Sequence, residues 1–411
     1  MLRCLCLVWV LGFTACSGPS GRVRADPPRL LSERTGGWRP EVRERLDALL
    51  TAQGRSSPSY NPRRRPVAVF DLDNTLIKND VGDALMVWMV EHEELHAPPS
   101  GDWRRTSSHL TDAAVQALST TCGGAVSPEG RLLTRLHARC ASAILGIYLE
   151  GKTPEGTPAW RQATTATLNA SYAWAAQLLA GHTPSRLREL ASEALAVALV
   201  EPVGAKRRVA GYELASSIRV YDAQRDLIEA MQANGFEVWV VSASPQPAVE
   251  VMAAQLGVPS HQVIGIRNVY GEGRAQPVFE GCGPVPDGKD TLMTYDEGKR
   301  CWVNKRIFGL PVEAQLRRAE DPASRPVFAA GDSDTDVSML QDAVGLKLVI
   351  RRNKRRLMCN ALANWKGTWL IQPMFLEPVA PMGPVPCASH SEGPVLDEQG
   401  QRIPDQYDSG P

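Results

Sequence analysis

Asp71 and Asp73 stand one residue apart where an apolar run, Val67-Ala68-Val69-Phe70, comes to an end. The run has the length and β-branched content of a strand buried on both faces. The C-terminal ends of such strands are where open α/β sheets hold their ligands. Two neighbouring carboxylates with no basic residue beside them are costly to enclose unless a metal or a substrate takes up their charge. The competing reading is a plain Asx turn that closes the strand. Three further segments bring polar groups to an element's end: Ser242-Ala243-Ser244 after an apolar run, Lys305 at the start of a helix-like stretch opened by Asn304, and Gly331-Asp332-Ser333-Asp334-Thr335-Asp336. In a parallel sheet these ends converge on one crevice.

The elements that must position them follow from periodicity. Pro40–Gln53 has apolar residues at helical spacing and a proline at its start. After the first strand, segments 81–96, 110–119, 128–149, 160–179 and 183–200 read as helices, with no strand pattern between them. From residue 219 strands and helices alternate. Helices are expected at 221–234 and 247–256, and strands at 236–242, 263–269, 325–331 and 346–350. This alternation specifies an α/β fold with a doubly wound parallel sheet, carrying a helical insertion after its first strand. The expected division is a core at 61–79 and 216–378, the insertion at 80–215, and a Pro/Gly-rich, non-globular tail at 379–411.

The chain has 411 residues, room for two packed units at ~150 residues per domain. Its 45 basic and 45 acidic residues cancel, which argues against nucleic acid as the main partner. The clusters Arg63-Arg64-Arg65 and 351–356 flank strand-like runs and read as solvated flanks. Arg3 followed by the apolar stretch Cys4 to Phe13 has the form of a signal peptide over 1–15, too short to span a bilayer. Thr14-Ala15-Cys16 resembles the lipobox of bacterial lipoproteins, with Cys16 as the lipidated residue. Phe13 departs from the usual aliphatic residue, so plain secretion stays open. Residues 16–60 would then supply a tether and the first helix, and the protein would be exported, periplasmic or anchored to the outer membrane. Six further cysteines in an oxidising compartment favour disulfides. Of the 15 possible pairings, sequence proximity favours Cys122–Cys140 and Cys282–Cys301 as local bridges, with Cys359–Cys387 tying down the tail, and the connectivity stays open. No CxxC pair supports a zinc ribbon or a thioredoxin-like site.

The set Asp71-x-Asp73-Asn74-Thr75, Ser242, Lys305 and Gly331-Asp332-x-x-x-Asp336, in that order, resembles the haloacid dehalogenase superfamily of aspartate-nucleophile phosphatases. The resemblance spans roughly residues 66–378 and matches the insertion to a C1-type cap. The segment Gly331 to Leu340 is similar to the phosphoserine-phosphatase branch, and the longer context to exported phosphorylcholine phosphatases. The resemblance implies Asp71 as nucleophile and Asp73 as the acid and base. It implies Ser242, Ala243 and Lys305 as phosphate-binding groups. Mg²⁺ would be held by Asp71, Asp332 and the backbone carbonyl of Asp73, with Asp336 binding it through water or orienting Asp332. Lys299 competes with Lys305, but Asn304 makes a good N-cap and favours Lys305 at a helix start. Asp334 has no counterpart role and reads as a turn residue. The implied substrate is a small phosphate monoester.

His92-Glu93-Glu94-Leu95-His96 matches HExxH, the zinc-protease pattern, although Pro98-Pro99 follow at once. In the phosphatase reading the cap selects the leaving group. Trp88, Glu91, Glu93, Glu94, Trp103, Tyr148, Trp160, Tyr172 and Trp174 offer aromatic faces and carboxylates for a cation such as choline or ethanolamine. A broad-specificity exported acid phosphatase is the alternative, though the anchored class C enzymes carry DxDET where this chain has Asn74. A phosphoserine-type phosphatase and a non-catalytic surface binding protein are the remaining readings. Oligomeric state is not encoded in these patterns.

Overall fold

The computed structural model describes residues 27–410, so the leader and Cys16 lie outside the described residues. Six parallel strands form the central sheet: β1 (Val67–Phe70), β2 (Glu237–Pro245), β3 (Val263–Ile266), β4 (Phe328–Gly331), β5 (Leu346–Arg351) and β6 (Trp369–Pro373). Their order is β6-β5-β4-β1-β2-β3, with β1 between β4 and β2. Every residue of β1 and β4 is buried, as expected of central strands covered on both faces. The chain order reverses at β1, and a crevice opens there beyond the strand ends.

One sheet face packs with α1 (Pro40–Gln53), whose Val42, Leu46, Leu49 and Leu50 are buried at helical spacing. Helices α7 (Asp222–Ala233) and α8 (Gln246–Gln255) join the same core. The other face is covered by α9 (Glu297–Arg306), α10 (Val337–Asp342) and α11 (Arg355–Ala363). The insertion holds α2 (Val81–Glu91), α3 (Asp112–Cys122), α4 (Ala138–Glu150), α5 (Ala170–Gln177) and α6 (Pro184–Val200). Its two connections to the core are pinned together, since Ile77–Lys78 pairs antiparallel with Arg219–Val220.

Several expected elements are shorter than their apolar patterns. The first insertion helix stops at Glu91, because His92 stacks on Trp88 and takes that residue's carbonyl with Nδ1 at 2.9 Å. Segment 160–179 is helical only from Ala170, where the Asn169 side chain caps the helix after a threonine-rich stretch. The insertion also contains a hairpin, Lys206–Val209 with Tyr212–Ala215, whose alternation is mostly polar and left no apolar signal. The run at 263–269 divides into β3 and a separate strand, Asn268–Gly271, which pairs with Arg274–Phe279.

The tail is folded, which corrects the non-globular expectation. Gly383–Val385 pairs with Gln406–Asp408, while Val385, Val395 and Ile403 bury together against the Cys359–Cys387 disulfide. Arg351 and Asp408 form a buried ion pair at 3.4 Å. The prolines and glycines here shape turns between a few apolar anchors. The other two expected disulfides, Cys122–Cys140 and Cys282–Cys301, are also formed.

Cys359 and Cys387 are 28 residues apart, and closing a loop of that size is worth ~3–4 kcal/mol. The Cys359→Ser/Cys387→Ser variant is expected to lose about that much in denaturant unfolding. An unchanged midpoint would show that the apolar anchors alone hold the tail.

Candidate active site

β1 carries its buried run directly into the acids: Asp71 N–H donates to Ala330 O at 2.9 Å, continuing the ladder with β4. The chain then turns sharply at Asn74, whose φ of 63° falls in the left-handed region that asparagine tolerates. That turn aims Thr75 back at the strand end. Its hydroxyl lies 2.9 Å from Asp71 Oδ2 and 3.2 Å from Asp332 Oδ1. Asp73 points elsewhere. Its Oδ1 accepts from Val81 N at 2.8 Å, while Oδ2 accepts from the hydroxyls of Ser242 (2.9 Å) and Ser244 (2.7 Å).

The loop after β4 is organised by Asp336. Its Oδ2 accepts from the backbone N–H groups of Asp332 and Ser333, both at 3.0 Å. The carboxylate lies over Gly331, where an added Cβ would sit 2.5 Å from Asp336 Cβ, so only glycine fits. Asp334, expected to be a simple turn residue, accepts from Leu357 N at 2.8 Å and lines the cavity.

The lysine assignment is corrected by the geometry. Lys299 Nζ lies 2.6 Å from Asp71 Oδ1 and 2.6 Å from Asp336 Oδ1, and the residue is fully buried. Lys305 instead donates to Gly281 O at 2.6 Å and sits over the Trp302 ring, away from the acids. Asn304 is no N-cap: it is interior to α9, with its side chain donating to Gln315 O and Arg317 O. The helix begins two turns earlier, after Asp296 at φ 45°. Arg356 clamps that strained residue with two 2.6 Å hydrogen bonds, and the Asp296 N–H donates to Thr335 O at 2.9 Å. Gly298 allows the close approach, because a Cβ there would meet Met293 O at 1.8 Å.

Burial dominates the electrostatics. It raises the Asp71 carboxyl well above the ordinary range, reinforced by Asp336 and opposed by Lys299. Burial, then repulsion from Asp80, raises Asp73 in the same sense, against the hydrogen bonds from Val81, Ser244 and Ser242. Asp332 is pushed up to about 6 by burial and then Asp336, with Arg352 opposing. Burial works against charge on Lys299, but Asp336 and Asp71 outweigh it and hold the ammonium above the usual lysine range.

Asp71, Asp332 and Asp336 are buried, and each offers an oxygen within 4.8 Å of the others. Such an oxygen-only donor set fits a hard divalent cation, and these three residues could hold one. Arg352, read from sequence as a solvated flank, donates from Nη1 to Asp332 Oδ2 at 2.6 Å.

The acids open into a cavity of about 290 Å³. Asp71, Asp73, Asp332 and Ala243 all line it, with Tyr148, Tyr172 and Tyr295 on its far walls. Asp80 caps α2 through Gly82 N (2.7 Å) and Asp83 N (3.0 Å) and faces the same space. Tyr148 donates to Asp83 Oδ1 at 2.6 Å. Of the aromatic and acidic residues expected to form a cage, only Tyr148 and Tyr172 reach the cavity. Trp103, Trp160 and Trp174 pack against one another inside the cap. Trp88 stacks on His92, Glu91 pairs with Arg207, and Glu93 accepts from Arg135 N. Thr75, Ser244, Arg352 and Tyr295 were not singled out for these contacts; Thr75 and Ser244 at least lay inside the motifs themselves.

The HEELH segment is not a zinc motif in three dimensions. Its helix ends before Glu93, which adopts φ 58°, so His92 and His96 do not share a helical face. Glu94 pairs with Arg131 and Arg186. His96 lies against His182, ring centroids 4.6 Å apart, and burial followed by that neighbour pushes its imidazole down to about 4.

No curated protein matches the chain. A solved structure of a conserved, functionally unknown protein from Anaerococcus prevotii is similar at 20% identity and a TM-score of 0.62, covering 84% of this chain and 94% of that one. A Bordetella pertussis protein of unknown function is 17% identical (TM-score 0.44, coverage 75% and 98%). A phospho-aspartyl intermediate analogue of phosphoserine phosphatase is 15% identical (TM-score 0.31, coverage 70% and 87%). The first of these likenesses speaks to the fold alone. The family model of the haloacid dehalogenase-like hydrolases matches residues 148–341, which include Ser242, Lys299, Asp332 and Asp336 and follow Asp71 and Asp73. Residues 148–341 are thus similar to the haloacid dehalogenase-like hydrolases, and the parallel sheet with its helical insertion and the polar strand ends gathered in one cavity agree with that match.

Proposed function

We propose that the protein is an exported, Mg²⁺-dependent phosphomonoesterase that works through an aspartyl-phosphate on a small ester with a cationic leaving group, as in phosphocholine. The observation that carries the hydrolytic part is the Lys299 ammonium bridging Asp71 and Asp336 while Asp73, two residues away, is held in a separate hydroxyl network. Asp71 would attack phosphorus as its ester P–O bond breaks, and Asp73 would give its proton to the departing oxygen. Water would then attack the aspartyl-phosphate, with Asp73 taking the proton and Asp71 and inorganic phosphate being released. The raised Asp73 carboxyl suits a group that must first be an acid. Ser242 serves Asp73 in this structure, and rotation of its hydroxyl would turn it to a phosphoryl oxygen while Ser244 keeps Asp73 in place. Lys299 takes the phosphoryl-binding role that the sequence reading gave Lys305. Mg²⁺ held by Asp71 and Asp332, with Asp336 fixing their loop, would screen the repulsion between carboxylate and phosphate dianion.

The cavity supports a cationic leaving group. Five aspartates line it against Arg352 and Lys354, and Arg352 is already committed to Asp332. Tyr148, Tyr172 and Tyr295 supply ring faces for an ammonium, with Asp80 and Asp83 behind Tyr148 as counter-charge. The export reading is supported by the leader pattern and by the three disulfides, with Cys16 as the acceptor of the lipid anchor.

Phosphate release from a panel of monoesters with Mg²⁺, using chelator and Asp71→Asn as controls, tests the reaction; no turnover of any monoester would leave a binding protein. Lys299→Met is expected to lower kcat by about 10²–10³-fold, the size of losing a donor at a developing charge. Lys305→Met should stay near wild type, and the reverse pattern would restore the rejected assignment.

Asp83 keeps contact with solvent, while enclosure and then the Asp80 charge lift its carboxyl to about 7. A cation favours the ionised form, so binding strengthens above that pH and is lost as pH falls through it. KM for phosphocholine is therefore expected to rise below pH 7 more steeply than KM for an aryl phosphate. Asp83→Asn should raise the first about tenfold, equivalent to about 1.4 kcal/mol, and spare the second. Equal KM changes for both esters would sink the cationic assignment.

A further inference from the structure

We propose that a basic groove at the end of the sheet opposite the active site docks the protein on an anionic lipid surface. The groove, about 590 Å³, lies where three strands begin, with Val67, Glu237 and Val327 on its wall. Arg63, Arg64, Arg65 and Arg325 face it, against the single acid Glu237. Two of the four arginines are fixed parts of the fold. Arg65 donates to Gly235 O (3.2 Å) and Phe236 O (2.8 Å), and Arg325 to Asp342 O (2.8 Å). Glu237 accepts from Trp239 Nε1 at 2.7 Å. Arg63 and Arg64 are exposed, and their bonds among the described residues are backbone N–H groups to Asn61 alone. Their guanidiniums are thus available to a partner.

The start of the described chain identifies the partner's chemistry. Arg29 N–H donates to the Asn234 side chain (3.2 Å), and Asn234 Nδ2 returns a bond to Arg29 O (2.7 Å). The next residue, Gly235, is the one that Arg65 and Tyr60 hold. The tether that leads from Cys16, the residue the proposed reading lipidates, therefore joins the fold beside the groove. The exposed Arg63 and Arg64 and the point where the tether enters the fold share one end of the sheet, and the cavity lies at the other. Guanidinium forks match phosphate headgroups, and a basic side chain near an anionic leaflet strengthens association about fivefold. Nucleic acid is the weaker candidate, because the whole chain carries no net charge. Docked through it, the protein would present its cavity to solvent.

Co-sedimentation of the chain without its leader (residues 16–411), with Cys16→Ser so that no acyl chain contributes, tests this. Vesicles of phosphatidylglycerol and phosphatidylcholine are compared with phosphatidylcholine alone, at low and high salt. Wild type is expected to prefer the anionic vesicles, and the preference should vanish at high salt. Arg63→Gln/Arg64→Gln should lower anionic binding by about 25-fold, two fivefold factors, while leaving neutral-vesicle binding, thermal unfolding and phosphate release unchanged. Equal binding to both vesicle types overturns the proposal. So does a double variant that keeps the preference, which would place it in the tether's own Arg22 and Arg24, or tighter binding to a DNA duplex than to anionic vesicles.

Discussion

A buried ammonium between two buried carboxylates sets the terms for the rest of this molecule. Lys299 has no solvent contact, and neither Asp71 nor Asp336 could keep a charge so deep without it. A buried pair is tolerated only when its geometry is good and its remaining atoms are satisfied; removing one partner costs about 3–5 kcal/mol. The surrounding structure supplies those conditions. Thr75 takes the second oxygen of Asp71, and two backbone N–H groups take that of Asp336. The start of α9 is held by Arg356 and by the cap loop, whose Ala166 carbonyl accepts from Glu297 N. Cys282–Cys301 fastens the same helix from its other side.

The two aspartates of one short motif are separated chemically by what each one meets. Asp71 stays within a network of charges, where a cation neighbours each acid. Asp73, pulled aside by the left-handed turn at Asn74, meets neutral donors: two hydroxyls and a backbone N–H. Burial raises both, yet only Asp71 has a lysine opposing the rise. Groups whose environments differ in this way divide into acid and nucleophile without any difference in residue type.

The core was legible because its strands are continuous apolar runs and its polar groups fall at their ends. Asp71, Asp73, Ser242, Ala243, Asp332 and Asp336 could be placed on one crevice from that pattern alone. The lysine could not. Lys299 and Lys305 lie on one helix, and the choice turned on which end of it was the start. Asn304 looked like a cap, whereas the real start is an aspartate in an unfavourable conformation that only a distant arginine makes tolerable. Arg352 was misread for a related reason: a run of basic residues after a strand has no local feature to show that one of them turns inward. The tail was misjudged because three isolated apolar residues and a disulfide can fold a Pro/Gly-rich segment without any periodicity.

In the proposed reading, leaving-group selection would follow from the same topology. The sequence spread it over the insertion from Trp88 to Trp174, and the tryptophans of that set pack within the cap or on His92 instead. Asp80, which lines the cavity, and Asp83, which accepts from Tyr148, lie in the cap and first turn of α2, where the insertion has barely left β1. Asp80 spends one oxygen on the helix N-terminus, and this ties the position of its charge to the helix. The pinned strands Ile77–Lys78 and Arg219–Val220 hold that first turn to the core. A leaving group would therefore meet its counter-charge on a rigid extension of the catalytic strand, and the more distant cap helices would contribute ring faces through Tyr148 and Tyr172. On that reading, exchange of those aromatic walls would retune which cation fits without disturbing Asp71, because the acids that would meet the cation belong to the core's own connection.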